Sequence, residues 1–224
     1  MLLRLVPNGS ADETVRNNQE KVAKIVRSLG PDGLVIGPKQ LCLAWGKAKA
    51  LPAGWMVWNF GPGRNEAKEV ARLVVVSRQM PSVREVEVMA ETIFGQRVAR
   101  LPSGTWYPKK PVGRLMANGK GRRALTSRHP DPLVEAVRFA ICEGELLQAV
   151  GRGRGVRRTA DAPLEVLLLT NVPIPIPIDR LITLKELLDG TGPLHELFAK
   201  GVVPLDYAGM AMALGGRLDD AEYR

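Results

Sequence analysis

Apolar positions recur with a helical period near the start of the chain. Val15, Val22, Ile25, Val26 and Leu29 form one stripe that Gly30-Pro31 ends, so a helix is predicted over 11–29. A short apolar run at 34–36, bounded by glycines, reads as a buried strand, and a second helical piece over 39–49 leads to Pro52. Strands are predicted at 55–60 and 71–77, followed by a helix over 81–94 with Val83, Val86, Val88, Met89 and Ile93 as its apolar positions. Asp131 caps a long helix with Pro132 at its favoured first position, and Leu133, Val137, Ala140, Ile141 and Leu147 form its stripe. A fourth strand is expected at 165–170, and prolines keep 171–178 extended. Short helices near 184–188 and 194–199 lead to the tail.

Strands that are apolar on both faces and alternate with helices call for a parallel sheet covered on both sides. The expected architecture is therefore α/β, with a main domain over 1–178 and a helical extension over 179–224. No internal repeat interrupts it.

Composition adds limits. With 224 residues and 45% apolar content, the chain can bury a real core. Two cysteines and two histidines are too few for a disulfide framework or a structural zinc site, so no metal is expected and a cytoplasmic location is. No apolar run is long enough for a membrane span, and the first residues lack the core of a secretory signal.

Charge changes the picture more. The formal net charge is +9, and Arg97, Arg100, Lys109, Lys110, Arg114, Lys120, Arg122, Arg123 and Arg128 supply all of it. No Asp or Glu lies among them, and the rest of the chain holds 23 basic and 23 acidic residues. Asn118-Gly119 is a strong hairpin signal, so 97–128 is expected to be an extended basic β-hairpin insertion with little core of its own. Lys109, Lys110, Arg114, Lys120, Arg122 and Arg123, with Trp106 and Tyr107 among them, suit a nucleic-acid strand held by phosphate contacts and stacking. The plainer reading is a solvated loop whose charges keep it soluble.

Two glycine-rich stretches could carry chemistry. One is Gln148-Ala-Val-Gly151-Arg152-Gly153-Arg154-Gly155-Val-Arg157-Arg158, at the end of the long helix. Its glycines let backbone approach a ligand and its arginines offer planar, permanently charged forks to phosphate. A surface loop touching nucleic acid is the plainer alternative. The other is Phe60-Gly61-Pro-Gly63-Arg64-Asn65, directly after a strand, where ligands gather in open α/β sheets. An ordinary turn is the alternative there. His129 is expected in a loop and His195 near the surface, while Trp45, Trp55 and Trp58 are expected to pack. Cys142, near Gly144, reads as a packing residue, and Asp219, Asp220 and Glu222 as a solvated acidic tail.

Taken in this order, the two stretches resemble the second RecA-like lobe of superfamily 2 helicases. LVIGP (34–38) matches the lobe's early strand, WMVWNFGPGRNEAKEVARLVVVSR (55–78) its motif-five strand, loop and next strand, and ELLQAVGRGRGVRR (145–158) its motif six. The likeness spans roughly residues 20 to 175 and is closest to plasmid- and phage-type bacterial primase–helicase proteins. It implies that Arg152 acts as an arginine finger, that Gln148 senses the nucleotide, and that Arg154 serves as the second motif-six arginine. Arg154 departs from the motif's spacing, so Arg157 and Arg158 remain alternatives for that second role. Gly61, Gly63, Arg64, Gly151 and Gly153 would face the nucleotide cleft. The chain has no G-x-x-x-x-G-K-[ST] loop and no acidic box, so ATP and Mg²⁺ would have to be held by a first lobe supplied in cis or in trans. Helicase activity is expected only in such a two-lobe protein, with single-stranded DNA as the nucleic-acid partner. A non-catalytic DNA-binding or regulatory module on the same fold is the alternative.

Overall fold

The computed structural model describes Leu5, residues 13–61 and residues 70–190. Helix α1 (Glu13–Ser28) leads into strand β1 (Asp32–Gly37), helix α2 (Lys39–Ala48), and strands β2 (Gly54–Asn59) and β3 (Arg72–Val76). Helix α3 (Val83–Phe94) precedes a hairpin of β4 (Lys109–Leu115) and β5 (Gly121–Ser127). The long helix follows as α4 (Pro132–Phe139), a wide π-turn (Ala140–Gly144) and α5 (Glu145–Gly151), and then come β6 (Glu165–Leu169) and α6 (Leu184–Asp189). The helix expected over 194–199, His195 and the acidic tail lie outside the described residues.

Four strands form one parallel sheet in the order β2-β1-β3-β6. The α/β class with helices on both faces, and the hairpin added to it, is therefore as the sequence predicts and is consistent with a RecA-like fold. Alternation along the strands explains why both faces need cover. Val35, Val74 and Val76 pack with Trp55 beneath α1 and α2, against Val22, Val26, Leu41 and Trp45. Leu34, Ile36, Leu73 and Val75 pack with Trp58 and Phe60 against Cys142, Leu146 and Ala149 on the opposite face. Val172 and Ile174 of the proline-rich segment close that second core. The three tryptophans expected to pack are all buried. No helix among the described residues is long and apolar enough to cross a membrane.

Helix α3 departs from its predicted stripe. Val83, Val86, Glu87 and Ala90 are the buried positions, while Val88, Met89 and Ile93 are exposed. The helix turns a glutamate inward because that carboxylate meets partners on other elements. The long helix also departs from a regular α-helix at 140–144. On the wide turn, residues five apart share a face, and Arg138 Nη2 donates to Glu143 Oε1 at 2.7 Å.

Asp131 caps α4 as predicted. Its Oδ1 accepts from the amides of Leu133 (2.9 Å) and Val134 (3.2 Å), and its Oδ2 accepts from Ala99 at 2.8 Å. The Ala99 amide, with the two helix amides, holds its carboxyl below the ordinary aspartate value. A depressed folded pKa stabilises above the unfolded value and loses that stabilisation as pH falls through the folded one. Asp131→Ala should therefore cost about 1–2 kcal/mol at neutral pH. Below the ordinary aspartate pKa of about 4 the difference from wild type should shrink, which paired urea titrations at pH 7 and pH 3 check.

Candidate functional site

Residues from the two glycine-rich stretches meet in space. Arg152 caps the end of α5, and its Nη2 donates to the carbonyl oxygen of Gly61, a residue 91 positions away that follows β2. Gly61 has φ of 132°, a backbone state open to glycine and strained for other residues. Gly63 and Arg64 lie outside the described residues.

The glycines of the second loop play different parts from those expected. The backbone turns at Arg154, whose φ is 51°, and not at its flanking glycines. Gly153 is buried, and a Cβ there would fall 2.3 Å from Leu164 Cδ2 and 3.3 Å from Leu73 Cδ2. Packing beside β3 and β6 accounts for that glycine. Arg158 clamps the same loop, its Nη2 donating to Val70 O at 2.8 Å and to Gly153 O at 3.2 Å, joined by its Nε on Gly153 O at 3.2 Å. Gln148 and Gly151 are exposed, and Arg154 is half-buried. The loop thus presents Gln148 and Gly151 to solvent and Arg152 to Gly61, while Gly153 and Arg158 hold it to the sheet.

The basic hairpin is a fixed ribbon. At its base Arg128 N donates to Pro108 O at 3.0 Å, and Tyr107 Oη donates to Pro81 O (3.2 Å) and Ser82 O (3.3 Å). At its tip Met116 pairs with Ile178, with Ala117 N on Ile178 O at 3.0 Å and Ile178 N on Leu115 O at 3.1 Å. Gly119 makes the turn at φ 77° as the Asn-Gly pair predicts. Lys109, Lys110, Lys120, Arg122 and Arg123 are exposed and Arg114 is half-buried.

The two aromatic residues separate. Trp106 is 52% exposed, its ring edge-on to Tyr107 at 5.2 Å. Tyr107 is buried, and burial pushes its phenol up to about 12. The expectation that Tyr107 stacks on a base is corrected on that ground: its ring anchors the hairpin to α3 and offers no open face.

A buried ionic network that sequence reasoning missed joins the hairpin base to the long helix. His129 lies in a loop as expected, and its side chain is fully enclosed. Its Nδ1 accepts from Asp131 N at 3.1 Å, which leaves Nε2 to face Glu87 Oε1 at 3.3 Å. Glu87 also accepts from Leu101 N at 2.7 Å. Glu135 accepts from His129 N at 2.8 Å and from Arg138 Nε at 2.7 Å, and Arg138 reaches on to Glu143. Burial opposes the charge on Arg138, but its bonds to Glu135 and Glu143 carry the guanidinium above the ordinary arginine value. The one local signal is Glu135 three residues before Arg138; the Glu87–His129 pair spans 42 positions. Burial pushes the Cys142 thiol up to about 12, which makes it an inert packing group as its setting suggested.

No family model matches the chain, and no curated protein or solved structure matches it significantly.

Proposed function

We propose that this chain is the second lobe of an ATP-dependent nucleic-acid helicase or translocase, which supplies an arginine finger and part of the strand-binding surface. The contact between Arg152 and Gly61 carries this reading. It joins the end of the motif-six-like helix to the motif-five-like loop, the two pieces that must share a nucleotide cleft.

The chain's residues fit part of that role. Arg152 offers a fork suited to phosphate oxygens, and when the lobes close it would exchange the Gly61 carbonyl for a more strongly bound anionic oxygen. No group of three or more His, Cys, Asp or Glu among the described residues could hold a metal ion, so magnesium would be held by the first lobe. ATP, once bound there, would supply the phosphoryl group whose developing charge Arg152 stabilises. Arg158 is bound to the carbonyls of Val70 and Gly153, so the second arginine of this role would be Arg154 or Arg157. The hairpin would hold the strand through its cations and Trp106.

The isolated chain should bind oligo-dT weakly and salt-dependently, quench Trp106 fluorescence on binding, and hydrolyse no ATP. Trp106→Ala should lower that affinity by an amount in the range of about 1–3 kcal/mol. Robust ATP turnover by the chain alone would sink the reading.

The exposed cations of the hairpin and Trp106 also suit a non-catalytic DNA-binding module. A first lobe that is stimulated on mixing with this chain distinguishes the helicase reading from it.

A further inference from the structure

Two glycines of the basic hairpin have no local reason to be there. Gly113 and Gly121 lie within β4 and β5, neither takes a left-handed φ, and a Cβ built on either meets nothing within 4 Å. A glycine in a strand gives up backbone entropy and side-chain packing, and it marks a place where a ligand or another backbone comes close.

The register puts both on one face. Gly113 is opposite Arg123 and Leu115 is opposite Gly121, so the glycines are diagonal neighbours, about 7–8 Å apart. Pro111 and Leu125 form the next pair on that face, and Leu115 and Leu125 are exposed there. The result is a shallow open depression lined by Pro111, Val112, Gly113, Gly121, Arg122 and Arg123. It is floored by bare backbone, edged by apolar side chains and rimmed by arginine.

The other face of the ribbon is cationic as well. Arg114 stands directly opposite Arg122, and like charges across a ladder destabilise it. Arg114 Nε is buried without a hydrogen-bond partner. Among the described residues none of Lys109, Lys110, Arg114, Lys120, Arg122 and Arg123 forms an ion pair.

We infer that the Gly113–Gly121 depression is the seat of a nucleic-acid single strand: its phosphodiester backbone approaches the bare ribbon beside Arg123, and its bases lie against Leu115, Pro111 and Leu125. The inference rests on the nucleic-acid reading of the hairpin and assigns it a face. Flexible surface lysines would bind phosphate without any need for glycine. Here the missing side chains are part of the site.

The site makes an unusual demand: filling it should weaken binding without weakening the fold. A β-branched residue suits a strand better than glycine does, and open space awaits it at both positions. The full chain carrying Gly113→Thr, Gly121→Thr or both should melt no lower than wild type. Its affinity for labelled oligo-dT of about 20 nucleotides, read by fluorescence anisotropy, should fall by about tenfold. Gly113→Ala, with one added methyl, should fall less. Wild-type affinity in the double variant, or a melting point well below wild type in both the threonine and alanine variants, overturns the inference and leaves the nucleic-acid reading standing. Wild-type chain that binds no oligo-dT overturns both, as does wild-type chain that binds only phosphatidylserine vesicles.

Discussion

Arg152→Ala, in a two-lobe assembly with a Walker A-bearing first lobe, should lower ATP hydrolysis by about 10³-fold or more while nucleotide affinity stays within a few-fold. The split between the two readouts follows from where the charge is needed. An arginine finger meets charge that develops only as the phosphoryl group transfers, so its loss appears in kcat and hardly in ground-state binding. Arg152→Lys should restore little, because an ammonium cannot reproduce the planar fork. The structure adds a condition: Arg152 must leave the carbonyl of Gly61 to act. Unchanged turnover in Arg152→Ala would remove the residue from this role.

Arg138→Ala should destabilise the chain by about 3–5 kcal/mol, a large share of the roughly 5–15 kcal/mol that holds a domain folded. Arg138 is completely buried, and it is bound by Glu135 on its own helix and by Glu143 across the π-turn. Its removal strands the buried carboxylate of Glu143, whose second oxygen already lacks a partner. Removing both charges as Arg138→Leu with Glu143→Leu should recover much of the loss, since an apolar pair of similar volume replaces a buried ion pair at little net cost. Urea titration of wild type and the two variants checks this. A loss below about 1 kcal/mol in Arg138→Ala would show that the pair is relieved by water or rearrangement. Because the same helix runs on to Arg152, the single variant should also loosen the placement of Arg152.

Much of the fold was legible because the signals are local. Val22, Ile25 and Val26 declare the buried face of α1, Asp131-Pro132 declares a helix start, and Asn118-Gly119 declares a hairpin turn; each rests on spacing over a few residues. What failed was long-range or hidden in a pattern. The α3 stripe was misplaced because Glu87 turns inward to meet His129 and Leu101, 42 and 14 positions away. Tyr107 stands among the cations in sequence like a stacking group, and nothing adjacent shows that its hydroxyl finds Pro81 and Ser82. In the candidate site, the order of the two glycine-rich stretches could be read directly. Which glycine turns, which packs and which lies bare could not.

By itself the sequence determined the alternation of buried strands with amphipathic helices, the Asp131 cap, and the confinement of the excess positive charge to the acid-free stretch 97–128. Tertiary structure alone decided the β2-β1-β3-β6 order, the meeting of Arg152 with Gly61, the enclosure of His129 and Arg138, and the bare face of the hairpin. The division has a physical cause. Periodicity, capping and turn chemistry act between residues a few positions apart, whereas burial and pairing of polar groups depend on partners that only the folded chain brings within hydrogen-bond reach.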